Sequence, residues 1–269
     1  MTNFTDWWVG TDTNGALPFP AGPVRREHFY LGRLGGETRA DSMGFDIQAA
    51  KVATQTFAYW DLAGPGVLAT NEAPVWGARQ ARAAIEAWGT HQYVQGKTLF
   101  LDVEVANGGW GTDQALNEGV LQGALQALAN SVAIPGCYVS PGAWAQLFGP
   151  AWSPGTPFVL WLAGNANQSL PTAISEWESL PTIGAMRPMI WQYNTSGSLV
   201  SRSQDRNLTP YAGWLAGAWH PTADTAPAVP HSTPQPAPTP EEMAIAKLHT
   251  VAADLQAAID LVEQLKGGV

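Results

Sequence analysis

The stretch "TLFLDVEVANGGWG", residues 98–111, is an apolar run that ends in two acids spaced two apart. Side chains alternate across an extended strand, so Asp102 and Glu104 leave it on the same side. Only 13% of the chain is charged. Two acids at the end of a buried strand therefore ask for a chemical reason rather than a solvation one.

The same kind of run recurs on both sides of it. "WWVGT" (7–11), "HFYLGRL" (28–34), "TQTFAYWDL" (54–62), "GCYVS" (136–140), "FVLWLA" (158–163) and "MIWQY" (189–193) read as strands. Between them, "APVWGARQARAAIEAWGTH" (73–91) and "GTDQALNEGVLQGALQALANS" (111–131) carry apolar residues at helical spacing. Continuously apolar strands separated by amphipathic helices predict an α/β fold with a mainly parallel sheet. No G-x-G-x-x-G follows any strand, which favours a modified TIM-like β/α barrel over an open nucleotide-binding sheet.

Composition divides the chain in three. Residues 1–218 carry the barrel pattern, and residues 219–240 are a Pro/Ala/Thr-rich linker of polyproline character. Residues 241–269 read as one amphipathic helix. Its seam, Ala244, Leu248, Val251, Leu255, Ala258, Val262 and Leu265, alternates steps of four and three. Such a stripe is unfavourable when left in water, so the helix is expected to bind itself or a carrier protein.

The net charge is −9, the pI is near 4.9 and there is no Lys/Arg cluster, which argues against nucleic acid or an anionic membrane as partner. Cys137 is the single cysteine and reads as a buried, inert thiol. No secretory signal is read at the N-terminus and no apolar stretch is long enough to span a bilayer. Thirteen tryptophans read equally well as glycan-facing surfaces or as filling for a barrel's outer layer.

In β/α barrels the chemistry sits at the C-terminal ends of the strands. Asp12 closes the first run, and Tyr59, Trp60 and Asp61 close the third. Gln192 and Tyr193 end the last, followed by Asp205 and Asn207. Paired carboxylates in an aromatic cleft suit glycoside hydrolysis, which needs a protonated acid for the leaving oxygen and an ionised group for the developing positive charge.

Taken in order, these motifs resemble the family 25 glycoside hydrolases, the Chalaropsis-type lysozymes. "VGTD" matches the family's opening G-x-D, "FAYWD" its Y-H-F-like strand, and "LFLDVE" its D-x-E strand. "GCYVSPGAW", with Tyr138, Ser140 and Trp144, matches G-x-Y-x-S-x-x-x-W. "LWLA" with Trp161 matches the family's L-W-x-A strand, and "IWQYNTSGSLVSRSQDRN" resembles its W-Q-Y…G-x-V…D-x-N ending. The resemblance implies a muramidase that cleaves the β-1,4 bond between N-acetylmuramic acid and N-acetylglucosamine in peptidoglycan, without metal or cofactor. It makes Glu104 the general acid and Asp102 the group that polarises the substrate acetamide, with Asp12 and Asp205 completing the acidic cleft. Tyr59, Trp60, Asp61, Tyr138, Trp161, Gln192 and Tyr193 would bind the glycan. "LGRLGG" replaces the family's polar second-strand end, Trp60 stands where the family has histidine, and "GNANQ" lacks the aromatic expected there. These departures leave open a non-catalytic glycan-binding or structural module of a phage tail or injection apparatus. The expected setting is a phage lysin, virion-associated or cytoplasmic until released, acting on the bacterial wall.

Overall fold

The computed structural model describes residues 7–13, 28–40, 45, 50, 53, 55–66, 71–90, 98–164, 168–198 and 203–210. The strands, in chain order, are β1 (Trp8–Thr13), β2 (Phe29–Gly36), β3 (Arg39–Ala40), β4 (Gln55–Asp61), β5 (Thr98–Val103), β6 (Ile134–Val139), β7 (Val159–Ala163), β8 (Pro188–Ser198) and β9 (Ser203–Thr209). The main helices are α1 (Ala73–Thr90), α2 (Gln114–Ala129), α3 (Pro141–Phe148) and α4 (Leu170–Glu176).

Strands β1, β2, β4, β5, β6, β7 and β8 pair in parallel, each with the next. Strand β9 then runs antiparallel to both β8 and β1 and closes a mixed barrel of eight strands. The α/β barrel expected from the sequence is therefore present, modified by one reversed closing strand. The two-residue β3 pairs back on the end of β2 as a hairpin.

Period-2 alternation sorts the strand residues into two layers. Phe29, Leu31, Phe57, Tyr59, Phe100, Tyr138, Val159 and Trp161 fill the inside of the barrel. Leu99, Leu101, Val103, Cys137, Val139, Leu160 and Leu162 face outward into the layer beneath the helices. Burying one such side chain stabilises by roughly 1.5–3 kcal/mol, so both layers hold the barrel rigid under its loops. Gly10 is small for a local reason: a Cβ there would lie 2.4 Å from the Phe29 ring.

The helix starts follow from their caps. The Asp113 carboxylate accepts from the N–H groups of Ala115 and Leu116 at the start of α2. Ser140 accepts from Ala143 N–H ahead of α3, with Pro141 at its first turn. Trp144 of the same motif is buried in the outer layer. Both residues of that motif are thus structural. Helix α1 pins the loop after β4: the buried Gln80 amide both donates to and accepts from the Ala63 backbone, at 2.9 and 2.8 Å.

By its internal contacts the chain divides into Met1–Ala226 and Pro227–Val269. The linker at 219–240 and the helix at 241–269 lie outside the described residues. Among the described residues no helix is long and apolar enough to cross a membrane.

Candidate active site

At the C-terminal mouth of the barrel is a cleft of about 440 Å³. It is lined by Asp12, Thr13, Arg33, Tyr59, Asp61, Asp102, Glu104, Asn107, Tyr138, Trp161, Gln192 and Asp205. Five carboxyl groups from four strands thus meet one guanidinium. Asp102 and Glu104 both reach the cleft because Glu104, one residue past β5, keeps extended dihedrals (φ −122°, ψ 140°).

Two relays fix the acids on the β1 side. The Trp161 indole, which can only donate, gives its N–H to Asn207 Oδ1 at 2.8 Å. That turns the Asn207 amide so that Nδ2 donates to Asp12 Oδ1 at 2.6 Å. In the second relay the Tyr138 hydroxyl donates to Gln192 Oε1 at 2.8 Å. Gln192 Nε2 then faces Asp12 at 3.3 Å and Asp205 Oδ2 at 3.2 Å. Burial pushes the Tyr138 phenol up, and the surrounding acids push it further, so it keeps the proton that this relay needs.

The same surroundings raise the proton affinity of the carboxyls. Asp12 is raised from 3.8 to about 6, chiefly by burial, and its hydrogen bonds from Asn207 and Gln192 oppose the shift. Asp205 is raised to about 7 by burial and then by the charges of Asp12 and Glu104. Asp102 is driven well above the usual carboxylate range by burial and then by Glu104, Asp61 and Asp12. Its Oδ1 is buried with no hydrogen-bond partner. Glu104 is exposed at the rim, yet partial desolvation and the neighbouring Asp61 raise it as well.

Arg33 sits opposite. Its Nε and terminal nitrogen lie 2.8 and 2.7 Å from Asp61 Oδ2. The backbone oxygen of Asp102 accepts from Leu62 N–H and from Asn107 Nδ2, tying the ends of β4 and β5 together.

Of the residues expected to bind glycan, Tyr59, Asp61, Tyr138, Trp161 and Gln192 line the cleft. Trp60 and Tyr193 do not: both are buried in the outer layer, and the Trp60 indole donates to Glu37 O at 3.2 Å. Each follows a cleft-lining residue by one position, so the pleat turns it to the other face. Trp161 is 1% exposed, which makes it the cleft's floor and a positioning donor rather than a stacking surface. Arg33, Asn107 and Thr13 line the cleft without having been singled out from the sequence. Arg33 was legible in principle, because it continues the inward alternation of Phe29 and Leu31. Among the described residues, no group of three or more His, Cys, Asp or Glu side chains is arranged to hold a metal ion.

No protein-family model matches this sequence, and no curated protein matches it either. Solved structures do share its architecture. A family GH25 lysozyme from Aspergillus fumigatus superposes with a TM-score of 0.56 at 17% identity, over 79% of this chain and 99% of its own. The muramidase from Acremonium alcalophilum gives 0.53 at 17%, over 78% and 98%. The Clostridium perfringens spore cortex lytic enzyme SleM gives 0.53 at 15%, over 79% and 70%. The fold is that of the family 25 glycoside hydrolases, in a divergent form.

Proposed function

We propose that this protein is a peptidoglycan hydrolase of the muramidase type, cleaving the β-1,4 bond between N-acetylmuramic acid and N-acetylglucosamine. The observation that carries the proposal is the difference between the two acids at the end of β5. Glu104 stands at the open rim with a raised proton affinity, while Asp102 is buried with an unpartnered carboxyl oxygen. In this reading Glu104 gives its proton to the glycosidic oxygen as the bond to the anomeric carbon breaks. Water supplies the hydroxyl to that carbon, and the proton it releases restores Glu104. Asp102 polarises the substrate acetamide through the edge of its carboxyl group that lines the cleft. Asp12 and Asp205 hold the far wall through Gln192.

Purified bacterial walls report the reaction directly as new reducing ends. Wild-type protein should release them and Glu104→Gln should not. Release by neither, together with saturable binding of walls by both, would instead make the barrel a glycan-binding module. Equal release by both would remove Glu104 from the chemistry. The C-terminal seam read from sequence fits a tail that carries the barrel onto a larger assembly, as in a virion-associated lysin. Ending the chain after Thr222 should then lower the light-scattering mass to a monomer's without loss of hydrolysis.

A further inference from the structure

A second groove of about 430 Å³ continues from the acidic cleft. The two share Arg33, Asp61 and Asn107, and the new walls come from the β2–β3 hairpin, including Gly36, Glu37 and Arg39. Its chemistry differs from the cleft's. Five acids face one arginine in the cleft, whereas the groove has two arginines and two acids. Arg33 is committed to Asp61. Arg39 is exposed, and among the described residues no carboxylate pairs with it.

The hairpin is shaped to present these charges. Gly36 lies close against Asp61, where an added Cβ would stand 3.0 Å from the Asp61 side chain. Glu37 has a φ of 53°, the left-handed conformation that glycine adopts at least cost. Two bonds hold it there: its N–H donates to Asp61 O at 3.3 Å, and the Trp60 indole donates to its carbonyl. A turn that favours glycine keeps a charged side chain beside the groove instead.

We propose that this groove is the subsite for the peptide branch of peptidoglycan, with Arg39 receiving a peptide carboxylate and Glu37 facing a peptide amine. The proposal rests on the muramidase reading. The branch hangs from the muramic acid, the sugar whose anomeric carbon is attacked, so it must leave the cleft within about one ring of Glu104. Asp61, whose charge reaches Glu104, stands where the groove begins. Wall peptides are short and zwitterionic, and a groove with separated cation and anion fits them. Bare glycan keeps only the lactyl carboxylate next to the ring and has no amine, and an acidic polymer would meet Glu37 and Asp61 unfavourably.

Initial rates on intact peptidoglycan and on glycan stripped of peptide by an amidase separate the roles. Arg39→Ala should lower kcat/KM on intact walls about tenfold, as expected for losing one charge-assisted hydrogen bond, and leave the rate on stripped glycan unchanged. Arg39→Lys should recover part of the loss. Equal losses on both substrates, or none on either, would overturn the subsite. Calorimetry on Glu104→Gln, with and without Arg39→Ala, uses a soluble disaccharide-peptide and the peptide-free disaccharide. Binding of both ligands with equal affinity would remove the subsite alone. Binding of neither would remove the muramidase reading with it.

Discussion

Asp12 and Asp205 stand directly opposite each other across the antiparallel β1–β9 ladder, and the single amide of Gln192 donates to both. Like charges facing across a strand pair destabilise it. The site tolerates the pair by keeping protons on it, at about 6 for Asp12 and about 7 for Asp205. Unfolded, both would titrate near 3.8, so between that value and 6–7 the folded state binds more protons than the unfolded one. Stability therefore falls as pH rises through this window. The melting temperature should be highest near pH 4 and decline steadily toward pH 7. Asp205→Asn keeps an oxygen for Gln192 and removes the charge. It should flatten the decline and raise stability at pH 7 by about 1 kcal/mol, after discounting for its partial exposure. Thermal melts of both proteins from pH 4 to 8 measure this. A wild-type melting temperature that rises over the range would contradict it.

Glu104→Gln tests the chemistry without disturbing the barrel. The side chain is exposed beyond the last strand residue, so stability should change by less than about 0.5 kcal/mol. Hydrolysis should drop by roughly 10²–10⁴-fold, as for loss of a general acid. Reducing-end release and a thermal melt on the same sample separate the two effects.

The strands that hold these acids were legible because their runs are apolar on both faces. Their ends were legible because chemistry in barrels gathers there. The closing strand was not. Ser203–Thr209 is "SQDRNLT", with Leu208 its only large apolar residue, packed outward. It is a strand because β8 and β1 satisfy its ladder from both sides, and barrel closure is no property of a seven-residue segment. Trp60 and Tyr193 fail to reach the cleft for a related reason. Adjacent residues cannot share a face, and which of two neighbours turns inward is set by register. The Arg33–Asp61 pair joins residues 28 apart, and only the parallel β2–β4 pairing makes them neighbours.

Asn207 is a structural keystone that touches no bulk water. It is fully buried, accepts from Trp161 and donates to Asp12. Asn207→Ala strands the Trp161 indole N–H in the interior and leaves Asp12 with Gln192 as its remaining side-chain donor. An unsatisfied buried group costs about 1–3 kcal/mol, so the variant should lose roughly 2–4 kcal/mol by denaturant unfolding. Asn207→Asp restores the acceptor for Trp161 but sets a third acid beside Asp12. It should therefore fold better at pH 5 than at pH 8.

The ion pair between Arg33 and Asp61 sets how strongly Asp61 acts on Glu104. Burial is the larger cause of the raised Glu104 affinity, and Asp61 is the second. Arg33→Met leaves the Asp61 charge uncompensated beside Glu104, which disfavours ionising the acid. Glu104 should then hold its proton to higher pH, and the alkaline limb of kcat should move upward. Asp61→Asn removes the second cause and should move the same limb downward. A steric or folding role for the pair would lower kcat in both variants at every pH without moving the limb. Opposite displacements in the two kcat–pH profiles are therefore the signature of charge acting through space. Both should shrink as ionic strength rises, because Glu104 faces solvent and is screened by it.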